Sequence, residues 1–267
     1  MKCLAIFGCA FIWLGPLNAQ LSLPQPGFAR YSDGSVHLVV GIPGNLIVEA
    51  RALSKADCAS FSDSGGLTSS NGLIRIMNAS GAVQGEYQSG EARPVLNIDS
   101  SLRSAVAWLA SKHALLGWNG TMFTEVGVDD SSFAGKVTFV RLASAKIAEL
   151  FVEFADSSVS KMSVSLPAGQ LIASNAEPAS RGAVFVQQGW MLSQNGGGLV
   201  GELPDGNRQT VELSKEPLPA DDLTIERMST DWLHVSSRST GTDWAVYLSS
   251  GKTSVSLLPP PTREAAQ

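Results

Sequence analysis

A recurring unit constrains this chain more than anything else in its sequence. Alternating strand, polar turn and second strand come back near every fortieth residue. The clearest copy is 231–259, DWLHVSSRSTGTDWAVYLSSGKTSVSLLP. Trp244, Val246 and Leu248 project to one side of a strand, and Asp243, Ala245 and Tyr247 to the other, because strand side chains alternate between faces. A polar turn at 249–252 leads into Thr253–Leu258, and Pro259, which lacks a backbone N–H, ends the run. Similar hairpins close at Tyr87, Val126, Leu166, Leu213 and Leu257, at spacings of 39, 40, 47 and 44 residues. Asn119-Gly120 and Asp205-Gly206 are strong hairpin signals. One more strand precedes the hairpin in several units: Ala105–Leu109, Ala183–Gln187 with Trp190–Ser193, and Trp232–Val235. No segment carries a 3.6-residue apolar stripe. Arg103–Ala114 is rich in helix formers, yet its apolar residues run unbroken from 105 to 110, so a strand, a turn at Ser111-Lys112 and a second strand Ala114–Trp118 are expected.

Units of about forty residues built from four short antiparallel strands resemble β-propeller blades. The resemblance is to degenerate WD40-like repeats. Ala59–Gly66 followed by Gly72–Ile76 looks like that family's run-up, turn and outward strand, although no unit has a clean Gly-His dipeptide or closes on Trp-Asp. Five units are visible, and Phe28–Ala50 supplies most of a sixth. The resemblance implies an all-β propeller of about six blades (five to seven) over residues 28–258. A single blade cannot bury both faces of its sheet, whereas a closed ring buries every face against a neighbour. In propellers the ring is commonly sealed by mixing N- and C-terminal strands in one blade, which here sends Phe28–Tyr31 into the sheet of Trp232–Leu258. A pair of face-packed sheets is the competing architecture.

Residues 1–19 have the form of a secretory signal: Lys2, an apolar run from Leu4 to Leu14, Pro16, and a small residue, Ala19, before Gln20. The run is too short for a stable bilayer span. Residues 20–27 are then a linker, 259–267 a tail, and the expected location is secreted or periplasmic. Removal of 1–19 takes Cys3 and Cys9 with it. Cys58 is left as a lone, half-buried thiol with no internal disulfide partner. No second apolar span follows, so the mature chain is expected to carry no transmembrane segment. With a net charge of −5 and a pI near 5.2, nothing suggests a phosphate-binding surface, and nucleic acid is not an expected partner.

Several short motifs suggest chemistry and fail on context. Gly251-Lys252-Thr253 lacks the earlier glycine of a phosphate loop and precedes a strand. Gly196–Gly201 fits GxGxxG, but Glu202–Gly206 continues as strand and turn, not as a pyrophosphate-binding helix. Ser62–Gly66 resembles the nucleophile segment of trypsin-like proteases, yet the histidine and carboxylate context that would activate Ser64 is missing. His37, His113 and His234 have no metal spacing. His37 and His234 occupy matching places in the first and last units, and both are expected to be polar-face or satisfied half-buried residues. Asp129-Asp130 and Asp221-Asp222 do not follow the calcium-loop pattern and read as solvated loop charges. The tryptophans at 108, 118, 190, 232 and 244 are expected in core or interblade packing. Asn78 and Asn119 fit the glycosylation sequon. The sequence thus names no catalytic, cofactor-binding or metal residue and no cofactor. It favours a non-enzymatic binding or scaffold module for a protein or other macromolecule. The alternatives are a propeller hydrolase or lyase with a metal at the ring axis, and a domain that assembles with a membrane-attached complex.

Overall fold

The computed structural model describes residues 23–129, 135–166, 168–220, 222–249 and 252–261. The chain is an all-β ring of six blades, with one short 3-10 turn, Ala110–Lys112, among the described residues. Blade 1 holds β1 (Gly27–Arg30), β2 (Ser35–Ile42) and β3 (Asn45–Lys55). Blade 2 holds β4 (Cys58–Ser62), β5 (Gly65–Ser70), β6 (Leu73–Asn78) and β7 (Val83–Gln88). Blade 3 holds β8 (Val95–Ile98), β9 (Ala105–Leu109), β10 (Ala114–Trp118) and β11 (Phe123–Gly127). Blade 4 holds β12 (Lys136–Ser144), β13 (Ile147–Glu153), β14 (Ser158–Ser165) and β15 (Leu171–Arg181). Blade 5 holds β16 (Val184–Gln187), β17 (Trp190–Asn195), β18 (Gly198–Glu202) and β19 (Arg208–Glu212). Blade 6 holds β20 (Leu223–Arg227), β21 (Trp232–Ser237), β22 (Asp243–Ser249) and β23 (Lys252–Leu257). Each sheet is an antiparallel meander in chain order.

Stacking explains the unbroken apolar run at 105–109. Every residue of β9 is buried. Ala105, Ala107 and Leu109 join Leu67, Ile74 and Ile76 of blade 2, while Val106 and Trp108 join Val140, Leu150 and Met162 of blade 4. A strand buried on both faces needs apolar residues at every position, which erases the period of two. Blades 5 and 6 meet in the same way through Trp190, Leu192, Val235 and Trp244. The tryptophans serve this packing: Trp108, Trp118, Trp190 and Trp244 are buried and Trp232 half-buried.

Blade 1 departs from the pattern. In the other blades the first strand is the innermost, and β4, β8, β12, β16 and β20 all end on one face of the ring, here called the exit face. The contacts Thr230 N–H to Asp63 Oδ1 at 3.3 Å and Ser64 Oγ to the Ser100 carbonyl at 2.9 Å join turns at those ends. By contrast β1 begins on the exit face, where the Phe28 N–H donates to the Met228 carbonyl at 3.3 Å. It therefore runs opposite to the innermost strands, as the second strand of every other blade does. Blade 1 supplies the second, third and fourth strands, and no described residue forms its first. Glu226 of β20 bridges that position. Its carboxylate accepts Arg30 Nε at 2.9 and 3.0 Å and the Ala59 N–H of β4 at 3.2 Å.

The first and last blades close the ring by packing. Tyr31 Oη donates to the Pro259 carbonyl at 2.9 Å, the Gly44 N–H donates to Ser256 Oγ at 3.0 Å, and Ala29, Val39 and Val48 pack with Met228, Ala245 and Leu258. The expectation that Phe28–Tyr31 would enter the sheet of Trp232–Leu258 is corrected. Blade 6 already has four strands, and β1 spends its sheet edge on β2. One unit boundary also moves. Leu166 closes the third strand of blade 4, and β15 follows it as the fourth. Residues 1–22, with the expected signal segment, and 262–267 of the tail lie outside the described residues. Among the described residues, no helix is long and apolar enough to cross a membrane.

Candidate functional site

The residues singled out by motif resolve into structure. Ser62–Gly66 is the β4–β5 turn, with Ser64 bonded to the Ser100 carbonyl. Gly196–Gly201 is the β17–β18 hairpin. Lys252 and Thr253 open β23, and Gly251 lies outside the described residues. The Oδ1 atoms of Asn78 and Asn119 each accept turn amides, from Ser80 and Ala82 and from Thr121 and Met122. Burial, the largest influence, pushes the Cys58 thiol up to about 12, and its Sγ donates to the Pro94 carbonyl at 3.3 Å. A thiol held in that form is a poor nucleophile.

Asp222 corrects an expectation. It is buried, not solvated. Its carboxylate accepts Ser237 Oγ and the Ser239 N–H (2.8 Å), fastening the turn between β21 and β22. Those bonds, Ser237 first, hold its carboxyl below the ordinary range. Asp129 is exposed, and Asp130 and Asp221 lie outside the described residues.

The structure does bring two of the three histidines together. His37 and His234, both buried, flank Tyr31 with ring centroids 5.6 and 5.9 Å away. His37 Nδ1 meets the Glu49 carbonyl at 2.7 Å and its Nε2 meets Ser35 Oγ at 2.9 Å; His234 Nε2 meets Asp243 Oδ1 at 2.8 Å. This cluster is the seam between blades 6 and 1. Tyr31 Oη, both ring nitrogens of His37 and His234 Nε2 are bonded to neighbours, so these contacts hold the seam together. His113 has φ 48° and follows the 3-10 turn. Among the described residues, no group of three His, Cys, Asp or Glu side chains could hold a metal ion.

What sequence reasoning missed is the exit face. Arg227, at the end of β20 in blade 6, reaches across the axis and donates through Nη1 to the Ile98 carbonyl of blade 3, while its Nε donates to the Ser229 carbonyl at 3.2 Å. Burial is the largest influence on its guanidinium and pulls it below the ordinary arginine range; the carboxylates of Asp63, Asp99 and Asp231 pull the other way. Beside it a cavity of about 490 Å³ is walled by the ends of the innermost strands, with Asp99, Ser104, Leu142, Gln187 and Arg227 in its lining. Gln187 is 4 % exposed. Its Nε2 donates to the carbonyls of Ser229, Thr230 and Trp232, and its Oε1 has no donor.

Two further cavities open on the same face. One of about 740 Å³ lies between blades 3 and 4 and shares Ser104, Leu142 and Ala145 with the axial cavity. Another of about 620 Å³ lies between blades 1 and 2, lined by Phe28, Leu38, Leu53 and Asp63, beside the position that lacks an innermost strand. On the entry face a cavity of about 460 Å³ sits among the starts of β12, β16 and β20, with Lys136, Phe185 and Ile225 in its wall. These surfaces come from turns far apart in sequence, so no local motif announces them.

No family model and no curated protein matches the chain. Similar solved structures include the β-propeller domain of Cps50 (Swd1) from Myceliophteria thermophila, at 9 % identity and TM-score 0.48, covering 91 % of this chain and 89 % of that one. BamB from Moraxella catarrhalis is similar at 13 % identity and TM-score 0.39, covering 86 % and 87 %. The computationally designed Ika4 protein is similar at 15 % identity and TM-score 0.36, covering 60 % and 92 %.

Proposed function

We propose that this chain is an exported, non-enzymatic recognition or scaffold module that holds a macromolecular partner on its exit face. One observation carries the reading: three of the four cavities described open on that face, and two of them share a wall. The seam histidines and Cys58 are occupied by structural contacts, which supports binding over chemistry. The signal-like residues 1–19 support export to a secreted or periplasmic location.

The test is photo-crosslinking in an extract of the source cells. A benzophenone side chain replaces exposed Ala145 on the exit face or exposed Thr240 on the entry face. A discrete adduct at 145 and none at 240 is expected. Adducts at 240 alone would overturn the reading. N-terminal sequencing of the exported protein tests the leader, with Gln20 as the expected first residue.

A further inference from the structure

We propose that Asp33, Ser35 and His37 form a proton-dependent clasp on blade 1: the doubly protonated His37 ring ties the outer strand β3 to β2 beside the closure seam, and loss of one ring proton loosens that tie. The device is independent of which face of the ring meets a partner.

The contacts of His37 need more hydrogens than a neutral ring supplies. Its Nδ1 lies 2.7 Å from the Glu49 carbonyl oxygen. A carbonyl oxygen only accepts, so Nδ1 carries a hydrogen. Its Nε2 lies 2.9 Å from Ser35 Oγ. Ser35 has one hydroxyl hydrogen, and it is donated to Asp33 Oδ1 at 2.5 Å. The Ser35 N–H donates to the same oxygen at 2.9 Å, and these bonds favour the ionised carboxylate, which only accepts. Toward His37, Ser35 Oγ can therefore only accept as well, so Nε2 also carries a hydrogen. A ring with hydrogen on both nitrogens is an imidazolium. A neutral ring would set two lone pairs against each other. His37 and Ser35 are 4 % and 5 % exposed, so solvent does not relieve that loss.

The position of the ring gives its proton a structural effect. His37 pairs with Ala52, and Val39 with Val48, which leaves residues 49–51 of β3 without a Cα partner in β2. The bond from Nδ1 to the Glu49 carbonyl crosses that gap. On blade 1 the ring also faces Tyr31 directly and Asp33 through Ser35, with Lys55 acting on Asp33 and the Glu49 side chain exposed. From blade 6, His234 and its partner Asp243 lie beyond Tyr31. Tyr31 Oη holds the Pro259 carbonyl, so the clasp borders the contact that closes the ring. Histidine is the side chain that ordinarily changes charge between about pH 5 and 8. A proton required by the folded contacts contributes stability at low pH that is lost as pH rises through the imidazole's titration.

The experiment uses the full chain with nitrogen-15 in its histidines. Ring nitrogen shifts and native-state amide exchange are followed by NMR at about pH 5.5 and about pH 8, either side of the ordinary histidine range, with each exchange rate divided by its intrinsic value at that pH. At the lower pH both nitrogens of His37 are expected to carry hydrogen. At the higher pH one is expected to have lost it, and protection of amides 49–52 is expected to fall about tenfold, the size of one buried hydrogen bond. Protection in β9 and β10 is expected to stay constant. Ser35→Ala removes the acceptor facing Nε2 and is expected to abolish the pH dependence at 49–52, whereas Ser35→Thr keeps the hydroxyl and is expected to retain it. A neutral His37 ring at the lower pH, equal protection of 49–52 at both, or a pH dependence that survives Ser35→Ala overturns the proposal. If Ser35→Ala fails to fold, the two measurements on the native chain decide.

Discussion

Single residues here act mostly through what they let neighbouring blades do. Gly85 of β7 is one such position. A Cβ there would lie 2.6 Å from the Trp118 ring, which belongs to blade 3 and is fixed by its Nε1 bond to the Leu102 carbonyl at 3.1 Å. Gly85→Val is therefore expected to destabilise the ring by about 1–3 kcal/mol through overpacking, read as a lowered denaturation midpoint at unchanged slope. Asp33 acts by charge. Its carboxylate accepts the Ser35 hydroxyl and N–H at 2.5 and 2.9 Å, and these bonds, hydroxyl first, hold its carboxyl below the ordinary range. A carboxyl depressed on folding contributes stability above its unfolded value that is lost as pH falls through the folded one. Melting of the native chain and of Asp33→Asn is accordingly expected to differ at neutral pH and to converge under acid. A gap that persists or widens under acid would refute this.

At the scale of elements the informative region is the one that lacks a strand. Glu226 and Arg30, with side chains 9 % and 13 % exposed, occupy the place where blade 1 has no first strand. Removing one partner of a buried pair leaves the other charge unpaired, so Glu226→Ala is expected to cost about 3–5 kcal/mol. The double replacement Arg30→Met with Glu226→Leu is expected to recover most of that loss, because two apolar groups of similar shape leave no charge behind. Chemical denaturation of the three proteins checks both statements. The other blades are where the sequence is readable. The strands 105–109 and 114–118 are found where composition places them, and the hairpins ending near Tyr87, Val126, Leu213 and Leu257 are real. The innermost strand β8 escaped notice because VLNI is too short to show a period. The edge strand β15, LIASNAEPASR, alternates weakly and carries Pro178, so the sequence pattern by itself ends that unit at Leu166. The exit-face cavities were illegible for a different reason. Asp63, Asp99, Gln187 and Arg227 sit in four blades and meet only when the ring closes.

For the whole molecule, ring closure is what makes each blade stable, and closure is uneven. Blades 2 to 6 carry four strands each and blade 1 three. Its β2–β3 ladder is interrupted by register shifts around His37, and Ile42, Ile47 and Leu53 remain exposed. Local opening free energy follows buried apolar contact and backbone protection. Amides of β2 and β3 are expected to exchange before those of β9 and β10 in native-state hydrogen exchange, and equal protection in the two blades would contradict the uneven ring. The most direct test of the account is an exchange footprint of the chain with and without the partner captured at 145. Slowed exchange confined to the exit-face turns around 99–104, 144–146, 187–189 and 227–231 is the predicted result, with the entry-face turns at 154–158 and 238–242 unchanged. Slowing at the entry-face turns, with the exit face unaltered, would contradict it.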